Sequence, residues 1–190
     1  MRSDRRSLPA GTPALDSSEQ MFDACVLGVD PGVARLGLAV LAQHDRKVTL
    51  VWSGTVQTAS DLDEATRLCA LADGARSAID EHRPTAVAIE RVAWSRNQVS
   101  ALHVARATGA IMLIAAQAGL LVEEYAPNEV KQAITGMGNA DKRQVQDALA
   151  RIHGLRGVPS QPDAADAVAV GLTHLLASRM RGIAARAGVR

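Results

Sequence analysis

The sequence predicts an α/β fold: a mixed five-stranded sheet, strand order 3-2-1-4-5, flanked by helices. Three observations predict it. Three short apolar runs follow one another early in the chain at hairpin distance, which suggests an antiparallel meander. Two later runs are each preceded by a helix-length stretch, which suggests parallel crossovers. The resulting order, βββαβαβ followed by helices, assembles most economically with the first strand central, its meander partners on one side and strands four and five parallel to it on the other.

The first run, ACVLGVD (24–30), is short, apolar and β-branched, and Pro31-Gly32 ends it in a turn. LGLAVLA (36–42) follows as the second strand, and KVTLVWSGTVQT (47–58) alternates well as the third. Residues 60–82 open with Ser and Asp and carry Leu62, Ala65, Leu68, Cys69, Ala72 and Ile79 at helical spacing, the pattern of an amphipathic helix. AVAIE (86–90) reads as a buried strand, followed by the loop RVAWSRN and an Ala-rich helix from Val99 to Gln117. LLVEEY (120–125) is a fifth strand closed by Pro127. Short helices are expected over 128–135 and 141–152, separated by the Gly-rich TGMGNA, and a last helix over Asp163–Met180.

A chain of 190 residues suits one domain with a sizeable core. That domain is expected over 21–181. Residues 1–20, rich in Arg, Ser, Pro and Gly, are expected to be a disordered tail, with Met21 an alternative start, and 182–190 a loose C-terminal tail. At 47% hydrophobic and 22% charged, the composition is that of a soluble globular protein. The most apolar stretch, 110–116 and its neighbours, is interrupted by Arg106 and Gln117 and is expected to fall short of a membrane span. Cys25 and Cys69 show neither metal-ligand nor disulfide spacing, so both are expected to be buried reduced thiols in a cytoplasmic protein. The net charge of +1 announces no partner, but residues 130–190 carry nine Lys or Arg against four Asp. That asymmetry permits an acidic partner on the C-terminal half and equally fits solvated helix faces.

Strands one and four are neighbours in the expected sheet, and each ends in a carboxylate, Asp30 and Glu90. Ligands favour the carboxyl ends of parallel strands, so both acids point into one crevice. An Asp before Pro-Gly is also a common turn former, and a Glu closing a strand also marks where a chain meets water. In QPDAADAVAVGLTHLL (161–176), Asp163 and Asp166 share one face of the last helix. Asp163 suits the N-cap or the first turn, favoured by the helix dipole. Asp166 precedes a run that must pack on the sheet, and a buried carboxylate without a cation is costly. Acids from two strands and a docked helix, with no Cys or His set, suit Mg²⁺ or Mn²⁺. Two such ions can drive phosphodiester hydrolysis.

LGVDPGVARLGLAV, AVAIERV, YAPNEVKQAITGMGNADKRQVQ and PDAADAVAVGLTH together resemble the RuvC family of Holliday junction resolvases, in the right order over residues 25–177. The resemblance implies a ribonuclease H-like fold, a homodimer, and symmetrical Mg²⁺-dependent nicking of four-way junction DNA in recombination and repair. It implies that Asp30, Glu90, Asp163 and Asp166 are catalytic metal ligands, with two ions per site, and that Lys131 and Lys142 lie near the scissile DNA. It further implies co-operation with a branch-migration motor complex (RuvA and RuvB type) and a preference for certain cleavage sequences. The sequence departs from the family at Ala93, where an aromatic residue is usual; Trp94, next to it, either stacks on DNA bases or packs in the dimer. ARATG also replaces the usual motif around Arg106, so no contacts transfer there.

A two-fold dimer suits paired, symmetrical cuts, and Ala101, Ala105, Ala107 and Ala115 allow a close helix approach across an interface or onto the sheet. Two competing readings remain: a non-catalytic junction or RNA binder on the same fold, and an actin-like phosphotransferase, for which the chain is too short to form two large lobes.

Overall fold

The structure, a computed structural model, describes residues 23–92 and 98–186. Its sheet has the expected order, β3-β2-β1-β4-β5. β1 (Ala24–Asp30) pairs antiparallel with β2 (Arg35–His44), which pairs antiparallel with β3 (Lys47–Gln57). On its other side β1 runs parallel to β4 (Ala86–Glu90), and β4 parallel to β5 (Leu121–Tyr125).

Alternation along β1 and β4 assigns their side chains to two cores. Leu27, Val29, Val87 and Ile89 face α1 (Glu64–His82) and α2 (Gln98–Gln117). Val26 and Ala88 face the opposite layer, made by α3 (Pro127–Thr135), α4 (Lys142–Arg151) and α5 (Pro162–Arg186). Asp30 and Glu90 keep the parity of Val26 and Ala88, so they fall on the α5 side.

Among the described glycines, the two closest approaches are those between α5 and the centre of the sheet. A Cβ on Gly28 of β1 would fall under 3.0 Å from the Ala167 carbonyl oxygen and from backbone atoms of Gly171, and one on Gly37 of β2 would fall equally close to the Asp163 carbonyl. Helix backbone therefore rests directly on strand backbone, a seat that only residues without a side chain permit. Farther along, the Arg181 guanidinium donates twice to Glu123 of β5, at 2.9 Å each. The Tyr125 hydroxyl lies 3.1 Å from His174 Nδ1.

Several expectations need correction. Asp63 accepts from Thr66 N and starts α1 at Glu64, not at residue 60. Its buried stripe is Leu71, Ala75, Ala78 and Ile79, with Leu68 and Ala72 beside it; Leu62 precedes the helix and is exposed, as is Cys69. The longer i, i+3, i+4 series wins the core face, and of the two thiols only Cys25 is buried. α5 continues to Arg186, so residues 182–186 are helical rather than a loose tail.

Val99–Gln117 is long and apolar enough for a membrane span by length and composition, contrary to expectation. In the fold it is one layer of an α/β/α stack, with Ala107, Ile111 and Ala115 against the sheet. Glu64 of α1 accepts a hydrogen bond from its Arg106 and pairs with its His103.

Candidate active site

Asp30 is the last residue of β1 and Glu90 the last of β4. Parallel register sets Val29 beside Ile89, so the two acids end adjacent strands at the same edge of the sheet. Asp30 is also paired with Gly37 across β2, and Gly37 lies directly beneath the Asp163 carbonyl. The glycine seat thus carries the start of α5 over the end of β1. Asp163, in the first turn, and Asp166, one turn on, are half-buried there, between Ala164, Ala165 and Ala167, which are in the core.

The electrostatics show that four acids have been gathered. Burial raises the Asp30 carboxyl to about 8, reinforced by the charges of Glu90 and Asp166 and by a hydrogen bond with Glu90. Glu90 is raised as well, chiefly by burial, although the hydrogen bond from Asp30 and the charges of Lys142 and Lys131 pull it down. The two shifts make Asp30 the donor in its hydrogen bond with Glu90.

The α5 acids each have a cation. Lys142 Nζ donates to Asp166 Oδ2 at 2.7 Å, and this bond leads the causes that raise the lysine's proton affinity. Arg35 Nη1 stands 3.9 Å from Asp163 Oδ2. Lys142 is delivered by a capping box. Asp141 accepts from Gln144 N, and the Gln144 side chain accepts from Asp141 N, which starts α4 at Lys142 and aims it at α5. Lys131 sits on α3, whose Val130 and Ile134 anchor it in the core, and is near enough for its charge to act on Glu90.

Among the described residues no three His, Cys, Asp or Glu side chains stand so that they could together hold a metal ion. The acids are instead held as pairs: Asp30 with Glu90, Asp163 with Arg35, Asp166 with Lys142. The donor set nevertheless fits a hard divalent cation, since it is all carboxylate oxygen and its excess negative charge is being met by a retained proton and borrowed side-chain cations. Trp94 and Ala93 lie outside the described residues.

Two residues that the sequence did not single out join this edge. Arg35, two positions before Gly37, is placed by register next to the end of β1. Arg91, directly after Glu90, is fixed by its backbone N–H on the Tyr125 carbonyl at 2.8 Å and lines a cavity beside Asp30 and Glu90. A basic residue flanking a strand-end acid was the available signal, weak because a surface arginine is ordinary.

A family model described as crossover junction endodeoxyribonuclease RuvC matches residues 26–174. A protein of that description from Roseiflexus sp. (strain RS-1) is 42% identical over 154 residues, 81% of this chain and 92% of that one. One from Nocardia farcinica is 45% identical over 167 residues, 85% and 88% of the two chains. The solved structure of T. thermophilus RuvC in complex with Holliday junction substrate is similar at a TM-score of 0.77 and 35% identity, over 83% of this chain and 96% of that one. The yeast mitochondrial Holliday junction resolvase Ydc2, at a TM-score of 0.60 and 14% identity, shares the fold alone. The sheet and its helices are of the ribonuclease H-like resolvase type.

Proposed function

This chain belongs to the RuvC family of crossover junction endodeoxyribonucleases, and we propose that it resolves four-way (Holliday) DNA junctions by symmetrical, metal-dependent nicking during recombination and repair. The observation that carries the reading is the gathering of Asp30, Glu90, Asp163 and Asp166 at one sheet edge, at a proton affinity that only a cation or a proton relieves. We assign these four as the ligands of two Mg²⁺ or Mn²⁺ ions. Such ions supply activation of the attacking water and charge stabilisation of the leaving oxygen in an in-line displacement. The side chains' own part is to hold that charge: Asp30 and Glu90 from the rigid strand ends, Asp163 and Asp166 from α5. The deciding experiment is a synthetic four-way junction incubated with the protein, with and without Mg²⁺, beside a linear duplex. Paired nicks in the junction alone, and only with metal, are expected; binding without any nick would favour a non-catalytic junction binder.

Lys142, bonded to Asp166, and Lys131, whose charge acts on Glu90, flank the acids, which supports their assignment to the backbone phosphates on either side of the break. Removing one phosphate contact lowers the salt slope of binding by about one. Lys131→Ala is expected to cut more slowly and to fail at a lower salt concentration than the parent. An unchanged rate across a salt titration would return Lys131 to the ordinary surface.

The dimer is supported by the outer face of α2. Val99, Leu102 and Leu113 are 66%, 51% and 57% exposed along one stripe, and Gly109 between them has open space where a side chain would be. A helix from a second copy can approach closely there, which gives paired active sites a two-fold relation. Ala107 and Ala115 face the sheet instead. Leu113→Glu is expected to sediment as a monomer at micromolar concentration while the parent sediments as a dimer. A cytoplasmic protein acting beside a branch-migration motor of the RuvA and RuvB type completes this reading, with residues 21–181 as the working domain.

A further inference from the structure

Where α5 crosses the centre of the sheet, Gly171 stands over Gly28: a Cβ on Gly171 would fall 3.4 Å from the Cα and N of Gly28. Such a seat limits how near the helix comes but does little to fix its angle, because crossing angles are set by side chains that interlock, and two bare backbones have none. The angle matters to the acids. Asp163 lies eight residues before Gly171 on the same helix, a lever of about 12 Å, on which a rotation of about 5° moves the acid by about 1 Å.

On the other side of that seat, four polar side chains tie α5 to β5. The Arg181 guanidinium meets the Glu123 carboxylate fork to fork, and Glu123 Oε2 also accepts from the Tyr125 hydroxyl at 3.0 Å. His174 Nδ1 lies 3.1 Å from both that hydroxyl and that carboxylate oxygen. His174 and Tyr125 are only 9% and 8% exposed, beside Leu172 and Leu175 in the apolar layer under α5. Apolar contacts are non-directional and would fill the space at any of several angles, whereas hydrogen bonds hold only near one geometry. The strand end of the tie is equally informative. Tyr125 is in register with Glu90, and its carbonyl accepts the Arg91 N–H. The tie therefore joins the helix that carries Asp163 and Asp166 to the rung of the sheet that carries Glu90.

We propose that Tyr125 and Arg181 are positioning residues, which together with Glu123 and His174 set the angle of α5 over the sheet and so the spacing of Asp163 and Asp166 from Asp30 and Glu90. The proposal rests on the nuclease reading above and adds to it what holds the two halves of the ion site at a working distance. Arg181 and Glu123 are 55% and 42% exposed, and pairs so open to water contribute little stability of their own. The mark of the tie is accordingly on metal affinity and rate more than on melting.

The test compares the full chain with Tyr125→Phe, which deletes the hydroxyl and keeps the ring, and with Arg181→Met, which deletes the guanidinium and keeps the stem, so that one serves if the other melts early. Three quantities are measured: junction affinity in EDTA, the Mg²⁺ concentration that gives half of the full thermal stabilisation, and kcat and KM for junction cleavage. In each folded variant junction affinity and KM are expected to stay within about twofold of the parent, since the phosphate contacts are untouched. The half-stabilising Mg²⁺ concentration is expected to rise about tenfold, as when a group that orients metal ligands is lost, and kcat to fall about tenfold. Arg181→Lys, which keeps a charge-assisted bond to Glu123, is expected to recover most of both losses. Variants that melt lower yet keep the parent's Mg²⁺ requirement and kcat would overturn the proposal, leaving the tie a matter of stability alone. So would a fall in junction affinity as large as the fall in kcat. A parent that neither gains stability from Mg²⁺ nor cuts junctions would overturn the nuclease reading itself, and this proposal with it.

Discussion

Asp30→Asn is expected to abolish junction cleavage, by on the order of 10³-fold or more, while junction affinity stays within about threefold. The side chains are nearly equal in shape, so the sheet edge is undisturbed; what disappears is a carboxyl that can give up its proton to take a cation, at the point where Glu90 and Asp166 crowd it. On the function proposed above, DNA affinity rests elsewhere, on cations such as Lys131 and Lys142, and is expected to lose nothing when an acid is neutralised. Equal loss of cutting and binding would break this division of labour.

The same variant carries a stability signature of opposite sign. The folded-state carboxyl of Asp30 titrates at about 8, against an ordinary value of 3.8. Between those values the folded protein keeps a proton that the unfolded chain releases, so metal-free stability declines as pH rises through that window. Glu90, also raised, adds to the decline. Thermal melting of the parent in EDTA is expected to fall from pH 5 to pH 8, and Asn at position 30 to remove most of that slope, on the order of a few kcal/mol at the alkaline end. Mg²⁺ is expected to restore the parent and to do little for the variant. Parallel melting curves for the two proteins across that range would contradict the burial of the acid pair.

Gly37→Ala is expected to have the second large effect. The new methyl group meets the Asp163 carbonyl, which is backbone and cannot swing aside, so the start of α5 has to lift. Overpacking of this kind costs about 3 kcal/mol, which for a chain of this size lowers the melting temperature by roughly 6–12 °C. The displaced turn carries Asp163 and the next carries Asp166, and a misplacement of about 1 Å at a reacting centre is enough for roughly 10²-fold in rate. Gly28→Ala strikes the same helix one turn farther on, at Ala167 and Gly171, and is expected to destabilise as much. Below its melting point, Gly37→Ala should also need more Mg²⁺ than the parent for half-maximal thermal stabilisation. A variant that melts and cuts like the parent would mean that α5 does not rest on the strands.

Local pattern carried a great deal by itself. Strand ends at Asp30 and Glu90 were legible because short β-branched runs stop at a turn or a charge, and the order of elements left few ways to lay down the sheet. Asp163 and Asp166 were legible as one helix face because their spacing is a property of the helix alone. Other features depend on what lies opposite. Whether Ala65 and Cys69 or Leu71 and Ala75 took the core side of α1 depended on which stripe met the sheet, and the apolar outer face of α2 shows only once its inner face is occupied. No spacing rule links Lys142 to Asp166, twenty-four residues apart, or Gly37 to Asp163. The sequence by itself therefore determined which residue types stood at the ends of which elements. Only the tertiary structure decided that helix backbone would sit on bare strand backbone, and so bring four distant acids to one edge, because close approach is a property of two surfaces and is written in neither one alone.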